Sequence, residues 1–297
     1  MKLKEAVLDI HNDPTLDSLT HSCEIIGDVL LIRLPPTCIA DRAAIGEALH
    51  RWYPRVRTVA AVPLYAHTDE QYRTREVRVI WGDERLETTH REAGCSFMVD
   101  LRHVFFSPRL AYERMRVARK VKPGETIINL FAGVGCFSIL IAKQQPQTRI
   151  YSIDLNPYAF NYQKANIVLN NLEGKVLPIL GDAREEAAKL AGLADRVLMP
   201  LPEQAHLFLP VAVQALKRCP VTDEVEAGAV EGVIHYYAVA TGREDEELFQ
   251  RPLNQAQEII ESSAGRTIRV ELEEARIVRS VGPRKYHIVL DLRVLPR

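Results

Sequence analysis

Two groups of residues in this chain have the types and spacing to do chemistry. The first is spread over three segments. FAGVGC (131–136) interrupts an apolar run with small residues, among them Gly133 and Gly135. Glycines there let the backbone approach a ligand closely at the start of a helix, where electron-rich groups are favoured. YSIDLNP (151–157) sets Asp154 at the end of the next β-branched run, where a carboxylate accepts both hydroxyls of a ribose. ILGDARE (179–185) sets Asp182 at the end of a third, placed to accept an adenine amino group or to cap the helix that follows. FAGVGC lacks the third glycine of GxGxxG, so a dinucleotide site is only weakly indicated. The second group is Glu113 in SPRLAYERMRVARKVK (107–122), surrounded by cations, with Arg73, Arg75 and Arg78 alternating in QYRTREVRV (71–79). By spacing alone, Glu113 is a helix glutamate paired with Arg116 or Arg109, and the alternating arginines are a strand face.

These positions need a scaffold. From residue 126 onward helical and β-branched segments alternate: strand 126–131, helix 136–144, strand 149–154, helix 157–170, strand 176–180, helix 183–190, strand 195–199, helix 203–218, strand 230–239 and helix 244–262. That order predicts a doubly wound parallel sheet. TIRVELEEARIVRS and KYHIVLDLRVL follow with only Val281, Gly282 and Pro283 between them, too few residues for a parallel crossover, so they form an antiparallel hairpin. Ahead of this, EIIGDVLLIRL, TREVRVIWG and SFMVDLRHVFF read as strands and ADRAAIGEALHRWYP as a helix. The expected fold class is α/β: a Rossmann-like sheet ending in an antiparallel hairpin, preceded by a small α+β domain. The boundaries are an N-terminal extension over 1–19, the small domain over 20–104 and the Rossmann-like domain over 105–297.

Composition sets limits. With 297 residues and 47% hydrophobic content the chain buries a sizeable core, and a formal net charge of −1 confines any nucleic-acid contact to local patches. Five scattered cysteines without CxxC spacing fit a reducing interior, no metal-site spacing occurs, and no apolar run reaches membrane-spanning length. The expected setting is the cytoplasm.

A parallel sheet closed by a hairpin resembles the class I methyltransferase fold, and a small-residue turn with acids after the second and third strands makes an S-adenosylmethionine pocket. SPRLAYERMRVARKVKPGE, NLFAGVGCFSI, YSIDLNPYAF, ILGDARE, DRVLMPLPEQAHLFL and GVIHYY, in this order, resemble the archaeal and eukaryotic tRNA guanine-37 N1-methyltransferase family from about residue 20 to the end. The resemblance implies methyl transfer to N1 of guanosine 37 in the tRNA anticodon stem-loop; metal-free transfer is expected from the absent metal-site spacing, and the chain is expected to act as a monomer. It implies Glu113 as the general base for the N1 proton, Arg73 or Arg75 as the cation near guanine O6, and Arg109 at the carboxylate end of the cofactor. The cofactor-binding set is Arg109, Phe131, Gly133, Gly135, Asp154, Leu155, Asn156, Asp182, Ala183 and Pro200.

Three positions depart from the family pattern. Pro200 replaces the asparagine of an Asn-Leu-Pro segment and cannot donate a hydrogen bond, and Asn129 and Cys136 stand where Asp and Pro are commoner. The short front end further suggests that the family's extra N-terminal domain, and its check on overall tRNA shape, is absent or reduced. That shortness favours a rival with the same fold and cofactor, the tRNA wybutosine-synthesis aminocarboxypropyl transferase. Arg109, Asp154, Asn156 and the segment around Pro200 favour the methyltransferase. Arg114, Arg116, Arg119, Lys120, Lys122, Arg279, Arg284 and Lys285 are candidate phosphate contacts. Tyr158, Tyr236 and Tyr237 offer rings to an extruded base, although GVIHYYAV reads as a central strand, which makes the last two core residues and gives His235 no catalytic part.

Overall fold

The structure is a computed structural model that describes residues 23–34, 42–63, 72, 74–221, 228–243, 247–263 and 267–297. It falls into two compact units that divide between Ala111 and Tyr112.

In the first unit, β1 (Glu24–Ile26), β2 (Val29–Leu34), β3 (Thr58–Pro63) and β4 (Arg78–Gly82) form one sheet in that order. Helix α1 (Arg42–Trp52) is the crossover between the parallel pair β2 and β3, and it buries Ile45, Ala48 and Leu49 at helical spacing. The expected single strand EIIGDVLLIRL is a hairpin instead. Gly27, at φ +57°, provides a left-handed turn residue, so Ile26 pairs with Val29. TREVRVIWG is strand only from Arg78, and SFMVDLRHVFF only over β6 (Cys95–Asp100). The partner of β6, β5 (Glu87–Glu92), was not expected, because ETTHRE carries no apolar alternation and buries only Thr88 fully.

The second unit opens on α2 (Ala111–Lys120). The alternating segments that follow are β7 (Thr126–Asn129), α3 (Cys136–Gln144), β8 (Arg149–Asp154), α4 (Pro157–Leu169), β9 (Val176–Leu180), α5 (Ala183–Ala188) and β10 (Arg196–Met199). The expected helix 203–218 breaks into a 3-10 turn (Ala205–Phe208), α6 (Leu209–Ala215) and a short strand β11 (Lys217–Arg218). Pro210 sits in the first turn of α6, where its missing N–H costs nothing, but its ring prevents one continuous helix. Then come β12 (Val230–Thr241), α7 (Glu247–Ser263), β13 (Ile268–Gly282) and β14 (Lys285–Pro296).

The sheet order is β13-β14-β12-β10-β7-β8-β9; the pairs from β12 through β9 are parallel, and β14 is antiparallel to both neighbours. Ile127, Ile128, Val197, Ile234, Leu290 and Leu292 fill its interior. The chain leaves β7 toward β8 on one side and resumes at β10 on the other, so a crevice opens at the carboxyl ends of these strands.

Replacing Gly27 tests the hairpin in the first unit. A Cβ there would stand 2.1 Å from Thr88 Oγ1 and 2.7 Å from the Thr89 carbonyl oxygen, at a φ that disfavours side chains. Gly27→Ala is therefore expected to lower stability by about 1–3 kcal/mol in urea titrations, and an unchanged midpoint would contradict this geometry.

Candidate active site

The loop after β7 is held from below and open above. Gln163 Nε2 of α4 donates to the Gly133 carbonyl (3.2 Å) and Asn166 Nδ2 to the Val134 carbonyl (3.1 Å). Gly135, at φ +91°, is the left-handed N-cap of α3, packed so closely that a Cβ would lie 3.0 Å from Gln163 Cγ. A Cβ on Gly133 would meet no heavy atom within 4 Å, so that face of the loop is open. Asp154 closes the arrangement: Oδ2 accepts the Gly133 N–H (2.5 Å) and Oδ1 the Asn156 N–H (2.9 Å). Each oxygen retains acceptor capacity for a diol. Burial pushes the Asp154 carboxyl up, against the two backbone N–H groups that favour its charge.

The neighbouring candidates have local tasks. The Asn156 side chain caps α4 by accepting from the Tyr158 and Ala159 amides. Asp182 caps α5 through the Arg184 amide (2.7 Å), leaving its other oxygen toward Arg184 Nη1 at 3.9 Å. Leu155 is exposed, Ala183 buried, and Phe131 packs edge-on against Phe208 (4.8 Å). Pro200 follows β10 directly. Asn129 is wholly buried and donates to Ser138, which bonds Ser152, so it ties β7 to α3 and β8.

Glu113 lies in a second cluster. Across β12, β14 and β13 the register sets His235, Asp291 and Glu274 in one row and Tyr237, Val289 and Arg276 in the next, and Asp291, Glu274, Tyr237 and Arg276 among them bond to side chains of α2. A register shift between Leu272 and Glu274 brings Glu274 opposite Asp291. Two opposed carboxylates repel. Arg116 and Lys120 reverse the sign of that contact: Arg116 Nη1 binds Asp291 (2.6 Å) and Glu274 (3.0 Å), and Lys120 Nζ reaches both at 2.5 Å. Arg116 also grips Glu113 with Nη2 (2.8 Å) and Nε (3.0 Å), while Tyr237 donates to Glu113 Oε1 (2.6 Å) and Arg276 to Oε2 (2.5 Å). Three carboxylates thus face three cations, and Glu113 is buried.

The titration behaviour follows from these contacts. Burial opposes the charge on Arg116, but the bonds to Asp291 and Glu113 outweigh it and hold the guanidinium above its usual range. Burial likewise opposes the Asp291 charge, yet His235 and Arg116 hold this carboxyl well below the carboxylate range. Burial, then the charge on Glu113, raises the Tyr237 phenol well above 10, so it stays a donor. His235 Nε2 faces Arg196 Nη1 at 2.7 Å, and since guanidinium cannot accept, His235 donates from Nδ1 to Asp291 (2.6 Å). Burial dominates its titration and pushes the ring below 6.5.

Not all of the expected phosphate contacts are free to meet RNA. Arg114 is buried, and the largely covered Arg116 and the half-buried Lys120 are engaged with Asp291 and Glu274, because α2 turns this face inward; Arg119 and Lys122 remain exposed. Arg284 and Lys285 are exposed, and Arg279 contacts His287 (3.3 Å). Tyr158 is exposed, whereas Tyr236 and Tyr237 are buried. In the first unit Arg109 pairs with Glu24 (2.9 Å), and Arg75 lies over the Phe105 ring (5.0 Å). Arg73 is outside the described residues. Tyr237, Arg276 and Asp291 went unassigned as partners of Glu113. The one signal was Asp291, a charge inside the apolar run HIVLDLRVL.

Comparison with known proteins bears on what these clusters do. A model described as the TRM5/TYW2 methyltransferase domain matches residues 88–270. The chain belongs to this family. A TYW2 N-terminal domain model matches residues 3–85. Among curated relatives, tRNA (guanine(37)-N(1))-methyltransferase Trm5b of Pyrococcus abyssi is 37% identical over 93% of this chain and 76% of its own length. The tRNA 4-demethylwyosine(37)-methyltransferase Taw21 of Saccharolobus solfataricus is 36% identical over 91% and 92%. A tRNA(Phe) (4-demethylwyosine(37)-C(7)) aminocarboxypropyltransferase of Methanocaldococcus jannaschii is 28% identical over 90% and 96%. The crystal structure of P. abyssi Trm5b superimposes with a TM-score of 0.81 at 34% identity, covering 98% of this chain and 80% of that one. A complex of aTrm5 with tRNALeu gives 0.78 at 30% (99% and 78%), and M. jannaschii Trm5 in complex with adenosine 0.76 at 31% (99% and 78%). In this TRM5/TYW2 chain the described residues contain no helix long and apolar enough to cross a membrane and no His, Cys, Asp and Glu group able to hold a metal ion.

The neutral state of His235 has a pH signature. Below about pH 6.5 an unfolded histidine takes up a proton that buried His235 resists, so the unfolded state binds more protons and stability falls with pH. The melting temperature is expected to drop from about pH 6.5 downward. His235→Gln, which can keep both hydrogen bonds without titrating, is expected to flatten this part of the calorimetric profile; an unchanged slope would contradict the assignment.

Proposed function

We propose that this chain transfers a methyl group from S-adenosylmethionine to N1 of guanosine 37 in tRNA. The observation that carries the reading is the fixed, buried Glu113 carboxylate in a chain 37% identical to Trm5b over 93% of its length. The crevice residues fit the cofactor. The open face at Gly133 admits a ligand against backbone, Asp154 offers a carboxylate to a ribose diol, and we assign Asp182 and the exposed Leu155 to the adenine. When bound, the cofactor supplies an electrophilic sulfonium methyl whose bond pair returns to sulfur as the methyl leaves.

Guanine N1 carries a proton at neutral pH and attacks well only as a base removes it. Glu113 takes that proton. Arg116, anchored on Asp291, and Tyr237, anchored in β12, keep its carboxylate oriented so that little reorganisation accompanies transfer. We assign Arg73 or Arg75 to guanine O6 and Arg109 to the cofactor carboxylate. The small domain expected over residues 20–104 and the exposed cations Arg119, Lys122, Arg284 and Lys285 are assigned to the anticodon stem-loop. With Pro200 in place of asparagine, the β10 end contributes carbonyl groups only.

One observation favours a second reading. Taw21 is 36% identical over 92% of its own length, and the front of the chain matches the TYW2 N-terminal model, so the same methyl chemistry on 4-demethylwyosine at position 37 is the alternative.

The test uses tRNA transcripts, tRNA bearing 4-demethylwyosine, and cofactor labelled separately on its methyl and aminocarboxypropyl groups, with nucleosides read by mass spectrometry. Methyl label on N1-methylguanosine at position 37, reduced about 10²- to 10⁴-fold in Glu113→Gln, is the expected result. Label only on the tricyclic base would overturn it, and the labelled group would say which rival is right. Separately, Asp154→Asn is expected to weaken S-adenosylmethionine about 10- to 100-fold by calorimetry; unchanged affinity would remove Asp154 from the cofactor site.

A further inference from the structure

The Glu113 carboxylate has no acceptor position left. Oε1 takes Tyr237 and Arg116 Nη2, and Oε2 takes Arg116 Nε and Arg276 Nη1, which fills the about four sites that a carboxylate offers. To receive a proton from a substrate, Glu113 must lose one of these partners. Arg116 is held by Asp291 and Glu274 and is 9% exposed. Tyr237 is buried in a central strand. Arg276 is different: its side chain is 26% exposed, and its further contact is with the ring of Tyr112 (4.8 Å), itself 68% exposed.

We propose that Arg276 is a substrate-exchanged partner of Glu113: guanine enters by inserting its N1–H and O6 edge between Glu113 Oε2 and the Arg276 guanidinium. This rests on the methyl transfer to N1 proposed above and deepens it. The exchange conserves hydrogen bonds. The N1–H donor replaces Arg276 at Oε2, and the O6 acceptor replaces Oε2 at Arg276. As N1 loses its proton to Glu113, negative charge grows on O6, whose two lone pairs take Arg276 beside the Arg73 or Arg75 assigned above. Adenine presents the inverse pattern, acceptor at N1 and donor at N6, and leaves both charged groups unsatisfied. A tricyclic base whose N1 is already bonded to carbon has no proton to offer. Arg276 therefore shields the base from water between turnovers and reads the edge of the nucleobase during them.

The test compares single-turnover methylation of tRNA carrying guanosine or 6-thioguanosine at position 37, for wild type, Arg276→Ala, Arg276→Gln and Arg276→Lys, with tRNA affinity measured in parallel. Sulfur is a weak acceptor, so a residue that acts on O6 matters less on the thio substrate. The expected result is a loss of about 10²-fold on guanosine in Arg276→Ala, a distinctly smaller loss on 6-thioguanosine, little change in tRNA affinity, and partial recovery in Arg276→Lys. Arg276→Gln keeps a donor without the charge and gives the same comparison should the alanine variant fold poorly. Equal losses on both substrates, or none on guanosine, would overturn the inference while leaving the methyltransferase reading intact. A wild-type enzyme inactive on guanosine 37 would overturn both.

Discussion

Arg116 is clamped between Asp291 of β14 and Glu113 of α2, and much of the second unit is arranged to permit that burial. A buried guanidinium is destabilising unless its donors are matched by anions, and here Asp291, Glu113 and Glu274 take them all. The shift in β13 that sets Glu274 opposite Asp291 makes sense only with Arg116 and Lys120 above the pair. Below, Asp291 is tied to His235, His235 to Arg196, and Arg196 to Glu125. The orientation of Glu113 is thus inherited from the hairpin that closes the sheet, and not from its own helix alone.

The cofactor side obeys a different constraint. The loop after β7 has Gly133 open outward and Gly135 packed inward, and its carbonyls are occupied by Gln163 and Asn166, which leaves backbone accessible to the proposed ligand. Asp154 holds the amide of Gly133 and retains capacity for a ribose. Asp154 thus shapes its loop directly, whereas Glu113 is oriented by other side chains; in the proposed reaction the first takes the ribose and the second the N1 proton.

Much of this was legible in the sequence, for a physical reason. Parallel strands and amphipathic helices announce themselves locally through β-branched runs and helical spacing, and β8 and β9 were placed to the residue from such runs. Glycine turns and strand-end acids are local too. The polar strand β5 was invisible because its stability comes from pairing with β6 and not from an apolar face. The partners of Glu113 were invisible because Tyr237, Arg276 and Asp291 lie 124 to 178 positions away and meet it, directly or through Arg116, only by strand register. The same register turned two of the expected phosphate contacts, Arg116 and Lys120, into internal counter-ions: spacing on a helix reveals which residues share a face, but not whether that face looks inward.

Glu113's part in the reaction is tested most directly by a crystal structure of the chain with S-adenosylhomocysteine and an anticodon stem-loop carrying guanosine 37. Guanine N1 is expected within hydrogen-bond reach of Glu113, about 2.6–3.2 Å, with the cofactor ribose on Asp154. Guanine bound with N1 turned away from Glu113 while the cofactor sits on Asp154 would contradict it.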